Sequence, residues 1–212
     1  MQKTRSRKSE LINRQLILAS GSPRRKQLLK SSGYRFKVIV SDADESIKRG
    51  QTPKQACVEL ARRKAGAAAR IFSNLSNKTA RPAVVLGADT IVVVRGEILG
   101  KANDPAHARR ILKKLSGAVH EVLTGVCLQL FPEGTEKIFA VRTRLSMRKW
   151  TAAEIENYIS SGEWIGKAGA YAIQETADRF ITKMSGSWTN VVGLPMEKVT
   201  KELAKLGVDS NK

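Results

Sequence analysis

The segment Ala83–Val94 constrains this chain more than any other: a long, β-branched run that is apolar on both sides of its middle. Such a run suits a strand buried on both faces of a sheet. It is interrupted by Gly87-Ala88-Asp89-Thr90. A carboxylate inside an apolar strand is costly unless it is paired or bound to a metal. Asp89 is therefore the strongest single candidate for a working residue, the alternative being a buried aspartate that caps a loop or pairs with an arginine. Gly87 and Ala88 predict room for a ligand beside it.

Around this strand the helical and extended signals alternate. Leu16–Ala19 reads as a short strand. Ser20-Gly21-Ser22-Pro23 then opens a helix with Ser22 as its cap and Pro23 at its first position, ending near Gly33. Tyr34–Ser41 reads as a strand running into Asp42-Ala43-Asp44-Glu45. Thr52-Pro53-Lys54-Gln55 is a capping box for an alanine-rich helix reaching Ile71. Asp104-Pro105 opens another helix. His120–Leu130 and Lys137–Ser146 form two strands around a Pro132-Glu133-Gly134 turn. Thr151 and Glu154 form a second capping box, and Gly162 stops that helix. Ala170–Ile173 and Phe180–Met184 read as short strands, and Pro195 starts a last helix ending about Leu206. The expected architecture is α/β, a mixed central sheet flanked by helices. Residues 1–14 read as a flexible basic tail and 15–208 as a single catalytic domain, since no composition shift divides them.

Composition narrows the chemistry. The 212 residues carry 38 Lys plus Arg against 19 Asp plus Glu, a net charge of +19. Such a field attracts polyanions without choosing among nucleic acid, anionic membrane and free nucleotide. No stretch is apolar for long enough to cross a bilayer, and the N-terminus lacks the apolar run of a secretory signal, so a cytoplasmic setting without membrane partners is expected. Cys57 and Cys127 form no CxxC pair and read as small buried residues. With only His107 and His120 present, a structural zinc site is disfavoured. Any metal would be a hard ion held by carboxylates and substrate oxygens.

Three further segments carry chemistry. The Ser20–Arg25 turn joins a strand to a helix N-terminus, which suits phosphate. Ser20 and Ser22 add hydroxyl donors, and Arg24 and Arg25 add planar forks. By local physics alone an ordinary strand–helix junction is equally compatible. In Asp42-Ala43-Asp44-Glu45, an extended backbone sends Asp42 and Asp44 one way and Glu45 the other. One of those faces could join Asp89 around a divalent ion. Lys64 and Lys101 are candidate phosphate cations, though each alone would pass as a surface lysine. In the segment from Lys167 to Gln174, Gln174 could read a base edge through its amide, whereas Tyr171 reads as core packing.

Together these blocks resemble the Maf family of nucleotide pyrophosphatases, related in fold to the inosine triphosphatase group. The likeness runs from about Leu16 to Leu206. It covers Ala19 to Arg25, Asp44-Glu45, Leu60 to Ala65, Gly87 to Thr90, Gly100-Lys101, Leu115 to Val122, Lys167 to Gln174 and Gly186 to Pro195. The resemblance implies an α/β fold with a cleft between lobes, a homodimer, and hydrolysis of a nucleoside triphosphate to its monophosphate and pyrophosphate. It implies that Asp89 accepts a proton and that Arg24, Thr90 and Gln174 govern base choice; the mechanism expected on that basis places Mg²⁺ or Mn²⁺ on Glu45 and Asp89. Ser20, Ser22, Arg25, Lys64, Lys101 and Lys167 complete the implied substrate contacts. The Ala-Tyr-Ala-Ile-Gln block and the ending Thr189-Asn190-Val191-Val192-Gly193-Leu194-Pro195 resemble the dTTP and UTP branch more than the 7-methyl-GTP branch. The chain departs from the family pattern at Ala102, Glu175, Trp188 and the basic tail. A different class, a nucleic-acid-binding or septum-inhibiting regulator on the same fold, is compatible with the charge. Nucleic acid is not required, and a pure binder would not need the acids and cations assembled here.

Overall fold

The computed structural model of the chain describes residues 14–75, 81–174 and 176–210. Residues 1–13, most of the expected tail, and Glu175 lie outside them. Arg14, counted with the tail, is docked: its amide donates to the Gly207 carbonyl at 3.0 Å, and its guanidinium pairs with Glu133 at 2.9 Å.

The elements in chain order are β1 (Gln15–Leu18), α1 (Pro23–Ser31), β2 (Phe36–Val38), α2 (Pro53–Leu75), β3 (Ala83–Val94), β4 (Glu97–Leu99), α3 (Pro105–Leu115), β5 (Val119–Phe131), β6 (Glu136–Met147), α4 (Ala152–Ser161), β7 (Ile181–Ser185), α5 (Trp188–Val192) and α6 (Met196–Lys205). One mixed sheet runs β2-β1-β3-β5-β6-β7, with β4 alongside the end of β3. β1 is parallel to β2 and β3, and the remaining pairs are antiparallel. This is the mixed, helix-flanked sheet expected from the sequence.

The Ala83–Val94 run forms β3 without a break. β5 pairs with it along its whole length, from Ala83↔Phe131 to Val94↔His120. On its other side β1 pairs only residues 83–86 and β4 only 92–94. The stretch Gly87–Ile91 thus has a strand on one side and a notch on the other.

Alternation along β3 sends neighbouring side chains to opposite faces. In the first half Val84, Leu86 and Ala88 pack with Leu28 and Leu29 of α1 and Val199 and Leu203 of α6. Val85 packs with Ala61, Ala65 and Ala68 of α2. In the second half Val92 and Val94 join Ile111 and Leu112 of α3, Tyr158 of α4, and the stacked rings of Trp150 and Phe180. The apolar interior therefore divides near the middle of β3, and a cleft lies between the two parts.

Helix α2 lies flat on the sheet because two glycines let it. A Cβ at Gly87 would collide with the Ala61 carbonyl and the Ala65 amide, and one at Gly125 with the Cys57 carbonyl. The space at Gly87, read from sequence as room for a ligand, is filled by this helix backbone. Cys57 and Cys127 are free and buried, and burial pushes both thiols up to about 12.

Several boundaries differ from the sequence reading. α2 continues past Ile71 to Leu75, since nothing in Ser73-Asn74 stops a helix. Only Phe36–Val38 of the expected Tyr34–Ser41 strand pairs. Residues 170–173 form a turn instead of a strand. Pro195 caps α6, which begins at Met196.

Candidate active site

The site forms where β3 lacks a neighbour. After β1 the chain leaves the sheet through Ser20–Ser22 and enters α1. Ser22 caps that helix by accepting from the Arg25 amide. Ser20 Oγ accepts from the Ser22 amide at 3.3 Å and from Arg25 Nη1 at 3.2 Å. Both serines act here as acceptors, so each keeps its O–H proton to donate.

Arg25 is 8% exposed and ties three segments together. Nε donates to the Gly193 carbonyl at 2.9 Å, Nη1 to Ser20, and Nη2 to Thr90 Oγ1 at 3.1 Å. Burial lowers its pKa from the usual value, and the charge of nearby Asp89 opposes that shift. Thr90 Oγ1 also lies 2.9 Å from Thr124 Oγ1, which donates to the Asn190 carbonyl at 3.0 Å. Asn190 Nδ2 donates in turn to the Val122 carbonyl and to Thr143 Oγ1. This buried chain of bonds fixes the 187–193 segment against β3 and β5.

Asp89 and Thr90, adjacent in sequence, point to opposite faces of the sheet. On the α2 face Lys64 Nζ lies 2.5 Å from Asp89 Oδ1 and 2.8 Å from Glu45 Oε1. Lys101 Nζ is 3.6 Å from Glu45 Oε2. The Lys64 side chain is 14% exposed and that of Asp89 13%. The hydrogen bond from Lys64, with Lys101 adding to it, holds the Glu45 carboxyl below its usual pKa despite partial burial. Glu45, and not Asp42 or Asp44, turns toward Asp89. Asp44 folds onto Ser46 and pairs with Arg63 at 3.2 Å.

On the Thr90 face a pocket is lined by Ser22, Arg24, Arg25, Lys101, Lys167 and Gln174 over a floor of Val92, Val122, Tyr171 and Ile173. Among the described residues, four cations and no carboxylate line it. It has a volume of about 130 Å³, below the ~300 Å³ at which ligand pockets usually begin. One wall is the 166–170 loop. Gly169 donates to the Gly100 carbonyl at 3.1 Å and lies so close to Val92 that a side chain there would collide, at a φ of 69° that favours glycine. Tyr171 is core, as expected: its hydroxyl lies 2.7 Å from Nε2 of the buried His120. Gln174 stands exposed on the rim.

Apart from Asp42 and Asp44, the structure brings the residues singled out from sequence to one notch, but on two faces: Asp89, Glu45 and Lys64 on one, and Arg24, Thr90, Lys167 and Gln174 on the other. Ser20 and Arg25 stand at the corner between them, and Lys101 reaches both. Thr124, Asn190 and the Gly193 carbonyl were not singled out. Asn190 and Gly193 stand in the Thr189–Pro195 ending that carries part of the family resemblance, but their partners are far away in sequence.

Asp89 and Glu45 supply hard oxygens that already converge on a single cation, the donor type a hard divalent ion takes. Among the described residues no group of three or more His, Cys, Asp or Glu could hold a metal. Phosphate oxygens and water would have to complete such a shell.

A family model described as Maf-like protein matches residues 15–206. A dTTP/UTP pyrophosphatase of Geotalea uraniireducens (strain Rf4) is 44% identical over 192 residues, 91% of this chain and 95% of its own. The dTTP/UTP pyrophosphatase of Geobacillus sp. (strain WCH70) is 43% identical over 194 residues, 92% and 99% of the two chains. That of Brucella abortus (strain 2308) is 43% identical over 197 residues, 92% and 93%.

Proposed function

The chain belongs to the Maf-like protein family, and on that premise we propose that it is a nucleoside triphosphate pyrophosphatase hydrolysing dTTP and UTP to the monophosphate and pyrophosphate. The observation that carries the mechanism is the notch itself: two carboxylates gathered on one ammonium on one face, and a cation-lined pocket on the other.

In this reading the base and sugar occupy the pocket over Tyr171 and Ile173, and the triphosphate crosses the notch past the Ser20–Arg25 corner. Gln174 and Arg24 meet the base end. Thr90, whose hydroxyl is bound to Arg25 and Thr124, acts on base choice through the shape of the pocket. Ser20 and Ser22 donate to phosphate oxygens. Arg25, Lys64, Lys101 and Lys167 offset the charge of the triphosphate and of the departing pyrophosphate. Glu45 and Asp89 would hold Mg²⁺ or Mn²⁺, which when bound withdraws charge from the phosphate oxygens. Asp89 orients a water and takes its proton as the water oxygen attacks the α-phosphorus. The bond from that phosphorus to the α,β-bridging oxygen breaks, and pyrophosphate leaves. The expected setting is the cytoplasm and the expected assembly a homodimer, which light scattering would test. No helix among the described residues is long and apolar enough to cross a membrane.

The test is pyrophosphate release from dTTP, UTP and 7-methyl-GTP, with and without EDTA. Release from dTTP and UTP that stops with EDTA is expected. Asp89→Asn should lower kcat by ~10²–10⁴-fold while the protein stays folded. Salt-sensitive nucleic-acid binding with no turnover of any nucleotide would replace this reading with the regulator.

A further inference from the structure

Among the described residues, the charge that stands between the two acids of the site is an ammonium. Lys64 bridges Asp89 and Glu45 at 2.5 and 2.8 Å, in the position from which both carboxylates would reach a divalent ion. A lysine and a divalent cation repel each other and cannot share that position.

The backbone beneath Lys64 is fixed. α2 is pressed onto β3 where the Ala65 amide meets Gly87, so only the lysine side chain can swing away. Once swung, it is a largely buried ammonium without its two partners, which is unfavourable unless another anion receives it. Lys101 cannot take over, being exposed and 3.6 Å from Glu45 alone. Nor does the protein offer an incoming ion a third acidic, histidine or cysteine ligand among the described residues. A triphosphate removes both obstacles, because its oxygens complete the shell of the ion and also accept Lys64.

We propose that Lys64 is a placeholder cation that keeps the divalent ion out of the site until a nucleotide arrives, so that the species bound for catalysis is the metal–triphosphate complex. This rests on the proposed function above, and adds the order in which its parts assemble.

The experiment measures Mn²⁺ binding to the full chain by the loss of the free-ion electron paramagnetic resonance signal. It compares the native protein with Lys64→Met, each with and without a non-hydrolysable α,β-imido analogue of dTTP. Lys64→Met keeps most of the length and the helix preference of the side chain and removes its charge. Native protein should bind Mn²⁺ weakly alone and roughly tenfold or more tightly with the analogue, after subtracting the signal lost to the same analogue without protein. Lys64→Met should bind Mn²⁺ without nucleotide at least roughly tenfold more tightly than native protein, because the two carboxylates left unpaired regain a cation. Mn²⁺ should also raise the Tm of Lys64→Met more than that of the native chain, and adding Asp89→Asn should abolish the gain. Equal Mn²⁺ affinity in the two nucleotide-free proteins, or tight binding by the native one, overturns the placeholder while leaving the proposed function intact. If the analogue brings no Mn²⁺ to the native protein, the metal part of the proposed function falls and the placeholder with it.

Discussion

Stability should depend on pH through a residue that never meets solvent. His120 is 1% exposed, in β5, with its Nε2 against the Tyr171 hydroxyl beneath the pocket. Burial pushes its pKa down from 6.5 to about 4, and a smaller interaction with the Ala118 backbone pulls the other way. Between those values the unfolded chain binds a proton that the folded chain refuses. The stabilisation from the neutral ring is therefore complete above the unfolded pKa, and is lost as pH falls toward the folded one. At about 1.4 kcal/mol per pH unit the whole loss is about 3 kcal/mol, with about 2 kcal/mol of it gone by pH 5. Urea unfolding of the native protein and of His120→Gln, from about pH 7.5 to pH 4.5, isolates this term. Glutamine does not titrate, so the difference between the two curves removes contributions from exposed carboxylates, such as Glu154 beside Arg148, that both proteins share. The native protein should lose stability relative to the variant on acidification. A difference that stays flat across that range would refute the argument, whatever the constant offset from the substitution.

Two other outcomes follow from packing and from the corner of the site. Gly87→Ala should destabilise by about 1–3 kcal/mol, because the new methyl meets α2 backbone and no movable side chain; urea midpoints measure it. Arg25→Lys keeps the charge but cannot reach Gly193, Ser20 and Thr90 together. It should cost about 1–3 kcal/mol of stability and lower kcat/KM for dTTP, read by unfolding and by pyrophosphate release.

Local rules made much of this legible. The Ser22-Pro23 cap and the Thr151–Glu154 capping box both form as read, because each is decided within four residues. Asp89 stood out because an acid among valines needs a reason, and that reason is Lys64. What stayed hidden depends on partners far away in sequence. Five residues are too few to show a helical period, so α5 could not be seen before Ser187 was placed. Gly87 reads in sequence as room for a ligand, but the backbone of α2, distant in sequence, fills that space. The opposite facing of Asp89 and Thr90 is implicit in any strand. That the space beside them is open depends on where β1 and β4 stop, and no local pattern records that.

The termination of β1 at Leu18 and of β4 at Leu99 leaves peptide groups of β3 without a partner strand along the very stretch where the reaction is proposed to occur. Completing the sheet there and catalysing are mutually exclusive. A version of this protein with a few more hydrogen-bonding residues at the end of its first strand would gain regular structure and close the passage in which the triphosphate is proposed to lie. Selection for rigidity in this fold therefore has a boundary set by the length of its shortest central strands.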